Sequence, residues 1–162
     1  MQKYILVIDQ STTSSKIILF NNNLKKIDRV QKEFKQYFPK EGWVEHDATE
    51  IWEDVKYLII KILKKNKINS KNITSIGIAN QRETTVLWNK KTGKPVNKAI
   101  VWQDRRTSDY CQKIKLEKKD LIIKKITGLL VDPYFSATKI KWILENNNKA
   151  KKDLKNGNLI FG

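Results

Sequence analysis

Tyr4-Ile5-Leu6-Val7-Ile8-Asp9-Gln10-Ser11-Thr12-Thr13-Ser14-Ser15-Lys16-Ile17-Ile18-Leu19-Phe20 decides the fold class. Ile5 to Ile8 is a short, continuous, mostly β-branched run closed by a polar cluster, the pattern of a strand buried on both faces. Asp9 stands at its carboxyl end. After the polar turn, Ile17 to Phe20 reads as a second strand, and Asn21-Asn22-Asn23 turns the chain into a third, amphipathic strand around Ile27 to Phe34. The chain therefore opens with a β-meander. Asp47-Ala48-Thr49-Glu50 has the form of a capping box, and Ile51, Val55, Leu58, Ile59 and Ile62 recur at helical spacing behind it. A helix of roughly four to five turns is expected there, ending in Lys64-Lys65-Asn66-Lys67, where cations suit the helix dipole.

Further strands are expected at Ile73 to Ala79, at Thr84 to Trp88 before the turn Asn89-Lys90-Lys91-Thr92-Gly93, and in the apolar run Ala99 to Trp102. From Arg106 the pattern becomes helical, through Tyr110 and Ile114 and then Leu121 to Ile126, with Gly128 as a stop. Ser136 is placed to cap a last helix carrying Ile140, Ile143 and Leu144. Leu159-Ile160-Phe161 reads as one more buried strand, directly before the last residue, Gly162. No repeat or low-complexity linker interrupts the chain, so it reads as one α/β unit, and a strand at the very end reads as a truncated sequence.

The 162 residues suit one domain or a piece of a larger protein, and a 40% hydrophobic share excludes a disordered chain. Lys and Arg number 33 against 17 acidic residues, a net charge of +16 that points first to nucleic acid or an anionic membrane. The distribution weakens that reading. Arg occurs only at Arg29, Arg82, Arg105 and Arg106, and the lysines are scattered rather than interleaved with aromatic residues. No specific nucleic-acid partner is expected. Cys111 and His46 are the sole Cys and His, which leaves no internal disulfide and no His/Cys zinc cluster. The longest apolar stretch near the start stops at Asp9, too short for a signal-peptide core or a membrane span, so a soluble cytoplasmic protein is expected.

Four stretches can carry chemistry. In Asp9 to Lys16, a carboxylate at a strand end can hold Mg²⁺ directly or through water, while turn hydroxyls, backbone N–H groups and a Lys can face phosphate oxygens. An ordinary polar hairpin turn has the same composition, and neither a Walker A pattern nor GxGxxG occurs in the chain. Asn80-Gln81-Arg82-Glu83-Thr84-Thr85 follows a strand, where α/β folds place ligand contacts. Its adjacent Arg and Glu can bind neighbouring hydroxyls of a polyol, or can form a plain surface salt bridge. Trp102-Gln103-Asp104-Arg105-Arg106-Thr107 repeats that arrangement, with Trp102 as an apolar wall or a core residue. Asp132-Pro133-Tyr134-Phe135-Ser136 adds a phenol at a helix entrance.

Together with Gly42-Trp43-Val44-Glu45-His46-Asp47, these motifs stand in the order and spacing of the FGGY carbohydrate kinases, and the resemblance runs from Met1 to Gly162. The Arg82, Glu83 and Tyr134 set looks like the members that phosphorylate glycerol rather than those that act on other polyols or sugars. The resemblance implies a ribonuclease-H-like domain of the actin, hexokinase and Hsp70 ATPase superfamily, a mixed sheet with flanking helices. Residues 1–162 would form most of its first domain, and the second domain would lie outside this chain. It implies ATP and Mg²⁺ as cofactors and glycerol as substrate, with homo-oligomers when the protein is full length. By the same resemblance Asp9 would lie near Mg²⁺, Thr12, Thr13, Ser14 and Lys16 would contact the ATP phosphates, and Arg82, Glu83, Tyr134 and Trp102 would bind glycerol. The general base would be an Asp beyond Gly162, leaving the 162-residue chain alone inactive. Ser11 and Lys16 depart from the family's usual Gly and Arg; a Ser would be strained if position 11 needs positive φ, and Lys loses the planar fork. Beside this stand a kinase of another polyol or sugar, and a non-catalytic remnant that binds a partner.

Overall fold

A computed structural model describes residues 2–162. The chain divides into two compact units, residues 2–35 with Thr49–Gln81, and Gln36–Ala48 with Arg82–Gly162. This departs from the single unit read in the sequence. The chain passes between units after Lys35, Ala48 and Gln81, beside strand and helix ends with no Gly or Pro at the passage, so composition leaves no mark there.

The first unit holds β1 (Tyr4–Gln10), β2 (Ser14–Asn21), β3 (Lys26–Glu33), α1 (Ala48–Lys65, its first residue excepted) and β5 (Ile73–Ala79). Its sheet runs β3-β2-β1-β5. The first three strands pair antiparallel, as the meander predicts, and β5 adds to β1 in parallel, making the sheet mixed. Cross-strand partners Leu6 and Leu19, and Ile17 and Val30, put their side chains on one face, where Val55, Leu58 and Ile62 of α1 close the core. The helix begins at Ala48, behind the predicted capping residue Asp47.

The burial of β1 differs from expectation. Leu6 is fully buried, but Ile5, Val7 and Ile8 are only half-buried: Ile8 packs on the α1 core beside Leu6, whereas Ile5 and Val7 alternate to the opposite face. Ile76 and Ile78 of β5 are 55% and 70% exposed.

The second unit is built from short ladders and helices: β4 (Glu45–His46), β6 (Leu87–Asn89), β7 (Ala99–Ile100), α2 (Ser108–Leu116), α3 (Lys119–Thr127), α4 (Ser136–Asn146), α5 (Asn148–Lys155) and β8 (Leu159–Phe161). β4 pairs with β7 and β6 with β8, both antiparallel. Thr85 bridges Ile100 outside the named strands, so the predicted strand from Thr84 to Trp88 is split. Leu87, Ile100, Ile143 and Ala150 form the core. Gly128 ends α3 as predicted, in the left-handed conformation with its N–H on the Lys124 carbonyl. Two expectations fail. Ser136 is the first residue of α4 rather than its cap, and β8 is not buried, since Ile160 and Phe161 are 38% and 64% exposed on a two-stranded ladder.

Leu58 has no exposed surface and sits where α1 meets the sheet. Leu58→Ala is expected to lower stability by about 2–5 kcal/mol through lost burial and the cavity left behind. Urea unfolding measures it, and a loss below about 1 kcal/mol would mean that α1 does not close this core.

Candidate functional site

In the first unit, the β1–β2 hairpin places the phosphate-binding candidates. Asp9 and Lys16 are direct cross-strand partners, and Lys16 Nζ lies 2.7 Å from Asp9 Oδ2. Both stay partly exposed at the mouth of the turn. The turn is braced from inside: Ser11 donates its N–H and its hydroxyl to the Ser14 carbonyl, each at 3.0 Å. Gln81 Nε2 donates to the Ser11 carbonyl at 2.7 Å, and Phe34 N–H to the Thr13 carbonyl. Ser14 is buried, its hydroxyl 3.1 Å from that of Ser11 and accepting from Gln31 Nε2 at 3.0 Å. Thr13 is exposed and Thr12 half-buried. Positive φ occurs at Leu24, Lys67, Glu83 and Lys118 among non-glycine residues, and not at Ser11. A side chain at position 11 is therefore accommodated without strain, and its hydroxyl ties the turn.

In the second unit, Glu83 organises the polyol candidates. Its φ of 62° is left-handed, a region a non-glycine residue holds only when its surroundings impose it. Oε2 of its carboxylate accepts from the Ser136 N–H at 2.9 Å and from the Ser136 hydroxyl at 2.8 Å. Glu83 thus satisfies the start of α4 from outside that helix, the role expected of Ser136, and its negative charge suits the positive end of the dipole. Arg82 beside it is exposed; the Glu83 carboxylate faces α4, so the pair is not the surface salt bridge its composition allows.

Tyr134 and Trp102 are drawn to the same place. Their rings meet edge to face, with centroids 6.0 Å apart, and the Trp102 N–H reaches Thr84 Oγ1 at 3.4 Å. Trp102 remains 36% exposed. Tyr134 is positioned by its N–H on Asp132 Oδ1 at 2.8 Å and by its ring against Phe135 at 5.2 Å.

Lys139 escaped the sequence reading. It has no exposed surface, and its Nζ donates to the Glu83 carbonyl at 2.9 Å and the Tyr134 carbonyl at 2.5 Å. Burial pushes its ammonium down to about 8, against the opposing pull of the Glu83, Asp104 and Asp132 carboxylates. A Lys among so many others carries no signal by type. Its position does, four residues before the buried Ile143 on one helix face.

Within the Trp102–Thr107 motif the charges of Asp104 and Arg106 are paired inside the fold, while Arg105 stays exposed in a pair with Asp132. Arg106, its side chain 1% exposed, donates Nε to Asp104 Oδ1 at 2.9 Å, and Nη2 to Asp104 Oδ2 and Glu45 Oε1, each at 2.8 Å. Its guanidinium lies 3.8 Å from the Trp43 ring centroid and 4.7 Å from that of Trp142. Asp104 Oδ2 also accepts from the Val44 N–H at 2.7 Å, and the Arg105 N–H binds the Gly42 carbonyl. These bonds lock the Gly42–Asp47 motif onto the loop that bears Trp102.

A model of the FGGY family of carbohydrate kinases, N-terminal domain, matches residues 4–161. Glycerol kinase of Geobacillus sp. (strain WCH70) is 51% identical over 162 residues, all of this chain and 33% of its own length. Glycerol kinase of Oceanobacillus iheyensis is 53% identical over 161 residues, 99% of this chain and 32% of its own. Among solved structures, Plasmodium falciparum glycerol kinase with ADP superposes with a TM-score of 0.92 at 36% identity, covering 99% of this chain and 32% of that one. The chain spans about a third of the length of these relatives.

Removing one partner from a buried ion pair strands the other. Arg106→Ala is expected to cost about 3–5 kcal/mol by leaving Asp104 uncompensated. Urea unfolding of the variant checks this, and a cost under about 1 kcal/mol would show that the cluster is dispensable.

Proposed function

The chain belongs to the FGGY family of carbohydrate kinases, and from that premise we propose that the intact protein transfers the γ-phosphoryl group of ATP to a terminal hydroxyl of glycerol, giving sn-glycerol 3-phosphate. One observation carries the choice of a small polyol: Glu83, Tyr134 and Trp102 converge on the start of α4. Glu83 Oε2 is used by Ser136, and Oε1 takes no hydrogen bond among the described residues. A ligand hydroxyl can donate to that oxygen, and the exposed Arg82, next in sequence, would donate to a further ligand oxygen. The Tyr134 phenol adds a polar contact, and Trp102 lies against the carbons. The glycerol kinases at 51% and 53% identity support the same substrate.

For the nucleotide, Thr12, Thr13 and Lys16 would meet phosphate oxygens, whereas Ser14, expected there too, is buried with its hydroxyl bonded to Ser11 and Gln31 and holds the turn instead. Lys16 offers a point charge rather than a planar fork. Among the described residues no group of three or more His, Cys, Asp or Glu side chains gathers for a metal. Mg²⁺ commonly rests on one or two carboxylates together with phosphate oxygens and water; Asp9, whose Oδ2 is paired with Lys16 Nζ at 2.7 Å, would contribute Oδ1. When bound, the ion neutralises charge on the transferred phosphoryl group. Positioning of both substrates is then the main work of this chain's residues. Among the described residues no helix is long and apolar enough to cross a membrane.

In the intact protein Glu83→Ala should weaken glycerol binding by about 1–3 kcal/mol, the cost of losing a hydrogen bond to a charged group. An unchanged KM for glycerol would remove Glu83 from the site. Asp9→Asn should lower kcat and leave the KM for glycerol nearly unaltered; full turnover in that variant would contradict the role given to Asp9.

A further inference from the structure

Lys139 is hard to explain as a device for stability. A fully buried ammonium loses its hydration, and an apolar side chain of similar length on this face of α4 would avoid that cost. It also stands in the first turn of α4, where the helix dipole disfavours a cation. Its head group is not wasted on solvent or on a lone carboxylate. It reaches back before the helix and binds two main-chain carbonyls, those of Glu83 and Tyr134. These residues lie 51 positions apart in sequence, and both are proposed to touch glycerol. One of them, Glu83, is held in a left-handed backbone conformation, which needs support from its surroundings.

We propose that Lys139 is a positioning residue for the polyol site, fixing through their carbonyl oxygens the backbones of Glu83 and Tyr134 so that carboxylate and phenol face one ligand at a set separation. This rests on the glycerol reading above. Lys139 touches neither substrate nor nucleotide in this account; it acts through the two residues that it ties together. Ser136 completes the arrangement by holding the Glu83 carboxylate from the same helical turn. The site's spacing is thereby referred to α4, a rigid element, rather than to the loops that carry Glu83 and Tyr134.

The ammonium's position also gives the site a pH response. The charged groups acting on it are the Glu83, Asp104 and Asp132 carboxylates, with Arg106 bound to Asp104 and Arg105 to Asp132. As pH rises through about 8 the ammonium loses its proton, and its hydrogen bonds to both carbonyls lose their charge assistance. Glycerol should then be held less well. Stability moves the other way. The folded value lies below the ordinary 10.5, so between about 8 and 10.5 the unfolded chain binds more protons and folding is favoured as pH rises. A purely structural lysine would not make these two trends diverge.

The test uses the intact protein with Lys139→Met, which removes both bonds, and Lys139→Gln, which keeps an N–H donor. The expected result is a KM for glycerol raised roughly tenfold or more in the Met variant and less in the Gln variant, with the KM for ATP unchanged. Amide exchange at Ser136 should quicken in Lys139→Met while the β1–β2 amides stay protected. An unaltered glycerol KM beside unaltered Ser136 exchange would overturn the proposal. Should both variants fail to fold, the unmodified protein decides: a glycerol KM that climbs above pH 8 supports the proposal, and one that stays level overturns it. Absence of any glycerol-dependent turnover in the unmodified protein would instead defeat the functional reading, and Ser136 exchange would then judge the positioning role alone.

Discussion

The second unit depends on how one buried lysine and one left-handed glutamate satisfy each other. Glu83 needs its unusual backbone held, and Lys139 needs acceptors for a charge that has no water. The Glu83 carbonyl meets both needs at 2.9 Å, and its carboxylate turns to the open N–H of Ser136. The same ammonium binds the Tyr134 carbonyl, which brings the Tyr134 ring to the edge of Trp102. Loop residues far apart in sequence therefore share one reference point on α4.

A second buried charge shapes the neighbouring loop by different means. Arg106 uses the fork and flat face that Lys lacks, with carboxylates around its edge and Trp43 and Trp142 against its plane. In the first unit the corresponding economy lies in the β1–β2 turn. Its bonds among Ser11, Ser14, Gln10, Gln31 and Gln81 are internal, which keeps the backbone fixed while Thr13, Asp9 and Lys16 stay open to solvent. Preorganised groups of this kind suit a phosphoryl-transfer site, where positioning and charge matter more than covalent chemistry by the protein.

The meander and α1 were legible because their apolar residues recur with clean periods, alternating along the strands and at three-and-four spacing in Val55, Leu58 and Ile62. Glu83, Tyr134 and Trp102 are far apart in sequence and are grouped there only by the family resemblance; in the structure the Glu83 and Tyr134 carbonyls meet at Lys139 and the Tyr134 and Trp102 rings meet edge to face. The charged run around Asp104 and Arg106 looked like a ligand site because sequence shows polarity but not burial. Lys139 was hidden for the opposite reason: its type predicts solvent, and only the approach of two distant carbonyls explains it. The division into two units was illegible because it follows long-range contacts, which leave no local composition. Ser136 was misread by one position, since a cap supplied by Glu83 from 53 residues away cannot be seen in the helix's own sequence.

The most direct test of the central claim is the specificity of the intact protein, measured as kcat/KM for ATP-dependent phosphorylation of glycerol, xylulose and gluconate in parallel. The account predicts that glycerol is strongly preferred, since it assigns Glu83, Tyr134 and Trp102 to a short polyol. A preference for xylulose or gluconate would contradict it.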